Sequence, residues 1–236
     1  MFILYGCDMK NSLIIITGAA SGIGAGIAKI FSEEGYSLGL LSKNLPKNNI
    51  MSEKNSVFIE TDVTNIASVK NAIQIAEEKF GPTHCLINCA GFAKGGEFLE
   101  LEHADHELML DVNIKGVMNC IEIILPGMQK RNAGSIINIS SLSDRQSTPG
   151  AAIYAASKAA VKNLSESLRA ENARYNIRIC NIAPAKIRTP MLMESGHMDE
   201  QTISVEELVK IILWVYKQPD NVCIRDMVIA PTNYIE

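Results

Sequence analysis

Leu13-Ile-Ile-Ile-Thr-Gly-Ala-Ala-Ser-Gly-Ile-Gly24 is the stretch that decides the fold, because a short run of strand character leads directly into a glycine-rich turn and a helix. Glycines at such a turn let the backbone approach a ligand closely, and the free N–H groups at the start of the helix favour an anion. The stretch therefore predicts a cradle for the phosphates of a nucleotide. A plain strand-to-helix turn that needs positive φ is the alternative interpretation.

The rest of the chain repeats the alternation of apolar runs and helical stripes, such as the stripe from Ile66 to Phe80. The runs are continuously apolar, which is typical of parallel strands that are buried on both faces. The predicted strands are Leu13–Thr17, Leu38–Leu41, Val57–Ile59, Cys85–Cys89, Ser135–Ser140, Ile177–Ala183 and Ile224–Ala230. We predict one α/β domain over residues 9–236, doubly wound and Rossmann-type, with about seven parallel strands and helices on both faces.

Composition narrows the classes of partner. The net charge is −4 and no basic stripe is visible, which argues against nucleic acid as a partner. No apolar run approaches the ~20 residues of a membrane span, and Met1–Asp8 reads as an N-terminal extension without a motif. We therefore expect a cytoplasmic protein with no membrane partner.

The histidines and cysteines do not indicate a metal site. The four histidines show no metal-ligand spacing, so none is predicted. The cysteines Cys85, Cys89, Cys180 and Cys223 lie in or beside apolar strands, which favours reduced core thiols.

Tyr154 and Lys158 are spaced four residues apart in an alanine-rich segment, Ala151 to Tyr175, that favours helix. Their side chains then share one face, and an ammonium near a phenol stabilises the phenolate that a tyrosine base needs. A Tyr–Lys contact on a helix surface is the alternative. Position in the fold favours the catalytic interpretation, because this segment follows the fifth predicted strand.

The glycine turn, read as TGxxxGIG, resembles the cofactor loop of the short-chain dehydrogenase/reductase family, and the resemblance runs almost from end to end of the chain. It implies a dinucleotide whose adenosine side is bordered by four residues of the turn and by a pair after the third strand. It also implies contacts from the segment Asn88-Cys89-Ala90-Gly91, which is similar to the family's NNAG motif with Cys89 in place of an asparagine. The residues implied are Gly18, Ser21, Ile23, Gly24, Asp62, Val63, Asn88, Ala90 and Gly91.

The same resemblance implies a catalytic tetrad of Asn113, Ser141, Tyr154 and Lys158. Ser141 lies at the family's usual distance before the tyrosine and would hydrogen-bond the substrate oxygen, with Ser140 as the runner-up. Asn113 would support a proton relay past Lys158, and a hydrogen bond in helix packing is the alternative. A turn or helix cap is the alternative for both serines.

The segment Pro184-Ala185-Lys186-Ile187-Arg188-Thr189 resembles the family's stretch that borders the nicotinamide. It implies cofactor contacts from Pro184, Ile187 and Thr189, in addition to Tyr154 and Lys158. Ala185 replaces the usual glycine, and the sequence leaves open whether its Cβ narrows the pocket. By the same resemblance, residues of about 186–204 form a substrate lid.

Cofactor choice is predicted from the end of the second strand, where an acid would bind the ribose hydroxyls of NAD and repel a 2′-phosphate. Ser42 and Lys43 stand there instead, so NADP(H) is preferred, with NAD(H) possible. An ordinary solvated lysine is the alternative interpretation of Lys43.

The expected function is therefore hydride transfer between NADP(H) and a small-molecule carbonyl or alcohol, with Tyr154 as general acid and base. Two alternatives stay open: a catalytically silent, nucleotide-binding regulator of the same fold, and an epimerase or dehydratase that uses the same site. The resemblance also implies a homodimer or homotetramer.

Overall fold

The computed structural model describes residues 12–44, 54–194 and 201–235. Within them a single parallel sheet is formed by β1 (Leu13–Thr17), β2 (Ser37–Ser42), β3 (Ser56–Glu60), β4 (Thr83–Asn88), β5 (Gly134–Ile139), β6 (Ile177–Pro184) and β7 (Asp226–Ile229). The strand order is β3-β2-β1-β4-β5-β6-β7, and every neighbouring pair is parallel. The order reverses between β1 and β4, and ligands of such folds bind beyond the carboxyl ends of the strands at that point.

Helices connect the strands, and their ends have identifiable local causes. Asn65 caps one helix by accepting hydrogen bonds from the N–H groups of the next turn, and Ser204 with Glu207 forms a capping box on another. The helices are α1 (Gly22–Glu33), α2 (Ile66–Phe80), α3 (His103–Leu110), α4 (Gly116–Arg131), α5 (Ala152–Asn172), α6 (Pro190–Glu194) and α7 (Val205–Tyr216), and a π-helical turn, Asp111–Lys115, joins α3 to α4.

The core lies in two layers, one on each face of the sheet. Ile14 and Ile16 of β1 pack with α1 and α7, whereas Leu13 and Ile15 point to the other face and pack with α2, α4 and α5. This division follows from the alternation of side chains along a strand and explains why β1 is apolar at successive positions. The predicted doubly wound α/β class is confirmed.

Among the details that differ from the predictions, two concern the end of the chain. The last strand is shorter than predicted, because pairing with β6 begins at Asp226 and not at Ile224. The cysteines in the described residues are free, but Cys223 is exposed, so its interpretation as a core thiol was wrong. Cys223 lies in an exposed segment that precedes β7.

Met1–Asp8, predicted as an extension, lies outside the described residues. No helix in the three described ranges is both long and apolar enough to cross a bilayer.

Candidate active site

The glycine turn after β1 is packed too tightly for side chains at two positions. Gly18 has φ +68°, and a Cβ on it would lie 2.8 Å from the Cα of Ala90. A Cβ on Gly24 would overlap the carbonyl oxygen of Gly18. Helix α1 begins at Gly22, so its free N–H groups and positive dipole end lie at the turn. The turn therefore has the close backbone and the charge that a pyrophosphate requires.

Thr17 joins this turn to the end of β4. Its buried hydroxyl accepts hydrogen bonds from the backbone N–H groups of Cys89 and Ala90, each at 3.0 Å. The two strand ends on either side of the switch point are thereby fixed to one another. Thr17 was not among the predicted site residues, although it is the first residue of the motif that identified the turn.

One cavity of about 1030 Å³ runs along the carboxyl ends of the strands. It is lined by the glycine turn, the end of β2, the segments after β3, β4 and β5, the amino end of α5, the segment after β6 and Tyr234. Of the predicted residues it includes Gly18, Ser21, Ile23, Gly24, Ser42, Lys43, Asp62, Val63, Ala90, Gly91, Ser141, Tyr154, Lys158, Pro184, Ile187 and Thr189. Two predicted residues, Asn88 and Asn113, do not line the cavity.

Asn88 is buried, and its amide donates to the side-chain oxygen of Asn138 at 2.8 Å. Asn138 in turn donates to the hydroxyl of Ser165 on α5 at 2.9 Å. The side chain of Asn88 thus ties β4 to β5 and α5 beneath the cavity. Cys89, the departure from the family motif, lines the cavity, and desolvation raises the pKa of its thiol to about 12.

Lys43 and Asp62 form an ion pair at 3.3 Å at one end of the cavity. Asp62 also accepts hydrogen bonds from the hydroxyl and the N–H of Thr64, at 2.7 and 3.0 Å. The hydrogen bonds from the hydroxyl and then the backbone N–H of Thr64, followed by the contacts with Lys43, lower the pKa of Asp62. The lysine side chain is 72% exposed, so this cation can reach an anionic group of a ligand at the end of β2.

Tyr154 and Lys158 lie at the amino end of α5, on the cavity wall. The Lys158 ammonium lies 5.7 Å from the centroid of the Tyr154 ring and donates to the carbonyl oxygen of Ile139 at 3.1 Å. Lys158 is buried, which strengthens its field at the phenol because little water screens it. A Cβ on Gly91 would lie 3.6 Å from the Lys158 nitrogen, so the Ala-Gly turn after β4 also borders this cation.

Asn113 lies in the π-helical turn and is fully buried. Its side-chain oxygen accepts from the N–H of Phe92 at 2.8 Å, and its amide donates to the Phe92 carbonyl at 2.9 Å and to the Ser157 hydroxyl at 3.0 Å. Ser157 donates in turn to the carbonyl of Tyr154 at 2.7 Å. The asparagine therefore fixes the loop after β4 to α5 at the turn that carries Tyr154. A π-turn inside a helix often marks a functional site.

The two candidate serines after β5 have different surroundings. The buried hydroxyl of Ser140 donates to Asp144 at 2.7 Å. Both serines line the cavity, but the Ser141 hydroxyl accepts a hydrogen bond from the N–H of Ser143 at 3.2 Å, which caps a short 3-10 turn. Only Ser141 therefore keeps its donor for a ligand within the contacts that the described residues make.

A charge network around the buried carboxylate of Asp144 supports this turn. The Asp144 carboxylate accepts from Ser140, from Asn181 at 2.9 Å and from Arg145 at 2.5 Å. Arg145 also binds Asp226 at 2.7 Å, at the start of β7. The hydrogen bonds with Arg145 lower the pKa of Asp226, and those with Asp226 and Asp144 raise the pKa of Arg145. The segment that carries Ser141 is thereby anchored to β6 and β7.

The segment after β6 continues the sheet before it turns over the cavity. Ala185 donates its N–H to the carbonyl of Ile229 at 2.8 Å and has an ordinary negative φ, so the alanine in place of glycine is not strained. Ile187 and Ile203 form a parallel bridge that holds the two ends of the intervening segment together. Met191 and Leu192 of that segment line the cavity, and residues 195–200 lie outside the described part of the chain.

Comparison with known proteins agrees with this geometry. Residues 12–200 match the family described as short chain dehydrogenase. An uncharacterized oxidoreductase of Listeria innocua is 32% identical over 242 residues, which cover 95% of this chain and 98% of the relative. Two solved structures are similar: ElxO with NADP bound (TM-score 0.84, 26% identity, 92% of this chain and 96% of that chain) and the closed form of serine dehydrogenase complexed with NADP+ (TM-score 0.86, 25% identity, 95% and 96%). The chain therefore belongs to the short chain dehydrogenase family of NAD(P)-dependent oxidoreductases.

Proposed function

We propose that the protein transfers a hydride between NADP(H) and a carbonyl or alcohol substrate, with Tyr154 as general acid and base. The observation that carries the proposal is that the glycine turn and the side chains of Ser141, Tyr154 and Lys158 line one continuous cavity. Hydride transfer to a carbonyl requires a nucleotide cradle and a proton donor on the same cavity wall.

Two groups of residues along this cavity fit the nucleotide. The turn at Gly18 offers close backbone at the start of α1, which suits a pyrophosphate. Lys43 is an exposed cation beside the expected ribose position, and no acid stands at the end of β2 to repel a 2′-phosphate. The NADP bound to ElxO and to serine dehydrogenase supports the preference for NADP(H), with NAD(H) as the weaker cofactor.

Bound NADPH supplies the hydride for the carbonyl carbon. The Tyr154 hydroxyl donates its proton to the carbonyl oxygen, while the Ser141 hydroxyl donates a hydrogen bond to the same oxygen and holds it in place. The buried Lys158 ammonium stabilises the phenolate that remains on Tyr154. In the oxidative direction the phenolate accepts the proton of the alcohol. Asn113 fixes the loop after β4 against the turn of α5 that carries Tyr154, and by family resemblance supports a proton relay.

Tyr154→Phe tests the proposal, because it removes the proton and leaves the ring. We expect turnover of a carbonyl panel to fall by roughly 10²-fold or more, the usual contribution of a positioned acid or base. NADPH affinity, measured by fluorescence titration, should stay within about 2-fold, since the hydride donor is held mainly by the turn and the segment after β6. Tyr175→Phe is the matched control and should keep full activity. Full activity in Tyr154→Phe would refute the mechanism, and binding without turnover in the unsubstituted protein would favour the silent regulator.

Lys43→Asp tests the cofactor preference separately. A carboxylate at the end of β2 would repel a 2′-phosphate and accept hydrogen bonds from the ribose hydroxyls. The ratio of NADPH to NADH affinity should fall by about 10- to 100-fold, the value of one or two charge-assisted hydrogen bonds. Lys70→Asp, on the exposed face of α2, makes the same charge change away from the cavity and should leave the ratio unchanged. An unchanged ratio in Lys43→Asp would contradict NADP(H) preference.

The remaining assignments concern the domain, the segment over the substrate, the oligomeric state and the location. We assign residues 9–236 to one nucleotide-binding and catalytic domain and residues 186–204 to a cover over the substrate. The Ile187–Ile203 bridge supports the second assignment because it pins the ends of the cover beside the cavity. A homodimer or homotetramer and a cytoplasmic location stay predictions, and analytical ultracentrifugation of the purified protein tests the first.

A further inference from the structure

The tail that follows β7 returns to the cavity. The Ala185–Ile229 hydrogen bond holds the start of the tail beside the segment after β6, and a turn closed by the Tyr234 N–H and the Pro231 carbonyl at 3.0 Å redirects the chain. The side-chain amide of Gln201 donates to the carbonyl of Asn233 at 2.9 Å. The tail is therefore tied both to the sheet and to the far end of the cover segment.

Tyr234 is the tail residue that reaches the cavity. Its ring lines the cavity that also contains Ser141 and Tyr154, and its centroid lies 6.0 Å from the ammonium of Lys186 in the segment after β6. The next residue, Ile235, is 87% exposed. Tyr234 therefore lines the cavity, whereas its neighbour Ile235 is exposed to solvent.

The cavity that Tyr234 lines carries a group of apolar side chains beside polar ones such as Gln146, Thr148 and Lys186. The described side chains that line the cavity away from the glycine turn include an aromatic ring, branched aliphatic groups and a thioether, from Phe92, Leu108, Val112, Met191 and Leu192. Among the described lining residues the one carboxylate is Asp62, which lies at the β2 and β3 end with Lys43. An aromatic ring on such a wall offers a flat face for an apolar or aromatic group of a ligand.

We propose that Tyr234 is a specificity-determining residue that favours carbonyl substrates with an aromatic or bulky apolar substituent. This inference rests on the proposed function. The catalytic groups recognise the carbonyl oxygen that all such substrates share, whereas the tail ring contacts the substituent that distinguishes them. The role of Tyr234 is separate from proton transfer, so its loss changes the ranking of substrates and not the chemistry common to them.

The test compares an aryl methyl ketone, acetophenone, with a small aliphatic ketone, 2-butanone, using NADPH oxidation. Tyr234→Ala should lower the ratio of kcat/KM for acetophenone over 2-butanone by about 10-fold, chiefly through KM, because an aromatic contact and its buried area are lost. Tyr234→Phe should keep the ratio within about 2-fold, since the ring remains. NADPH affinity and the melting temperature should not change, and the exposed Ile235→Ala is the matched control in the same tail.

Each outcome bears on a different claim. A selective loss in Tyr234→Ala that Tyr234→Phe restores supports the inference. An equal loss for both ketones, or an unchanged ratio, overturns it and leaves the proposed function intact. Absence of turnover of any carbonyl by the unsubstituted protein overturns the proposed function and this inference with it.

Discussion

Asp144→Ala removes the central acceptor of the network beneath Ser141. The Asp144 side chain has no exposed surface, and it accepts hydrogen bonds from Ser140, Asn181 and Arg145. Truncation leaves the Arg145 guanidinium with Asp226 as its remaining acid partner. The Ser140 hydroxyl keeps the Ile182 carbonyl at 3.2 Å as an acceptor, and the Asn181 amide keeps Asp226 at 2.9 Å. We expect the free energy of unfolding to fall and Ser141 to be displaced, because the 3-10 turn that Ser141 caps ends at Asp144.

The size of the loss follows from the burial of the partners. Removing one partner of a fully buried ion pair costs about 3–5 kcal/mol, but the Arg145 side chain is 24% exposed and keeps Asp226. Water and the second carboxylate therefore reduce the charge penalty, and we expect a loss of about 2–3 kcal/mol from the missing charge-assisted hydrogen bonds. For a chain of this length each kcal/mol lowers the melting temperature by about 2–4 °C, so the expected shift is about 4–12 °C.

Urea unfolding and thermal melting of Asp144→Ala measure this loss. Asp105→Asn is the control, because Asp105 pairs with the half-exposed Lys94 at 2.6 Å and such surface pairs contribute about 0–1 kcal/mol. Asp144→Asn keeps one oxygen acceptor and should lie between the two. Equal destabilisation by Asp144→Ala and Asp105→Asn would refute the reasoning. In turnover assays Asp144→Asn should lower kcat more than it raises KM, since the substrate oxygen meets a displaced Ser141 mainly in the transition state.

Three further predictions concern the turn, the segment after β6 and the base of the sheet. Gly18→Ala should weaken NADPH binding by roughly 10-fold or more in a fluorescence titration, because φ +68° and the contact with Ala90 exclude a Cβ; unchanged affinity would contradict the cradle. Ala185→Gly should leave NADPH affinity and kcat within about 2-fold, since Ala185 is unstrained; a gain above that in steady-state assays would show that the Cβ obstructs the pocket. Burial lowers the pKa of His84, which contacts the Tyr216 hydroxyl at 3.2 Å. The stabilising contribution of neutral His84 is therefore full above the pKa of the unfolded state, about 6.5, and is lost as the pH falls through the lower pKa of the folded state. Urea unfolding between about pH 7 and about pH 5 should show this loss, and His84→Gln should flatten it; parallel curves for both proteins would exclude His84 as the cause.

The fold and the outline of the site could be predicted because they depend on local patterns. Continuous apolar runs specify parallel strands, and the glycine turn directly after β1 specifies a close-packed strand-to-helix connection. Tyr154 and Lys158 are one helical turn apart, so the backbone alone places them on one face. Each of these signals lies within a few residues of sequence, where periodicity and steric limits are informative.

What could not be predicted depends on contacts between distant segments. Asp144, Arg145 and Asp226 are ordinary charged residues in the sequence, and only the pairing of β6 with β7 brings the last of them to the other two. Tyr234 follows the last strand by several residues and reaches the cavity through a turn and a hydrogen bond to Gln201. Residue type gives no signal for either arrangement, because the partners are selected by tertiary packing.

Burying the polar residues beneath the cavity costs desolvation free energy, and the packing of the core alone gives no reason for them. An apolar side chain would fill the same space without desolvating polar groups at each of three positions, Asn88, Asn113 and Asp144. Each of them bonds a segment that carries a cavity-lining residue, so an apolar substitute of the same size releases the loop or turn above and leaves the polar partners without that hydrogen bond. Asn113→Leu is the informative case. If these residues position the site, the loss of turnover, expressed as an activation free energy, should exceed the loss of free energy of unfolding. Matching losses would assign Asn113 to stability alone.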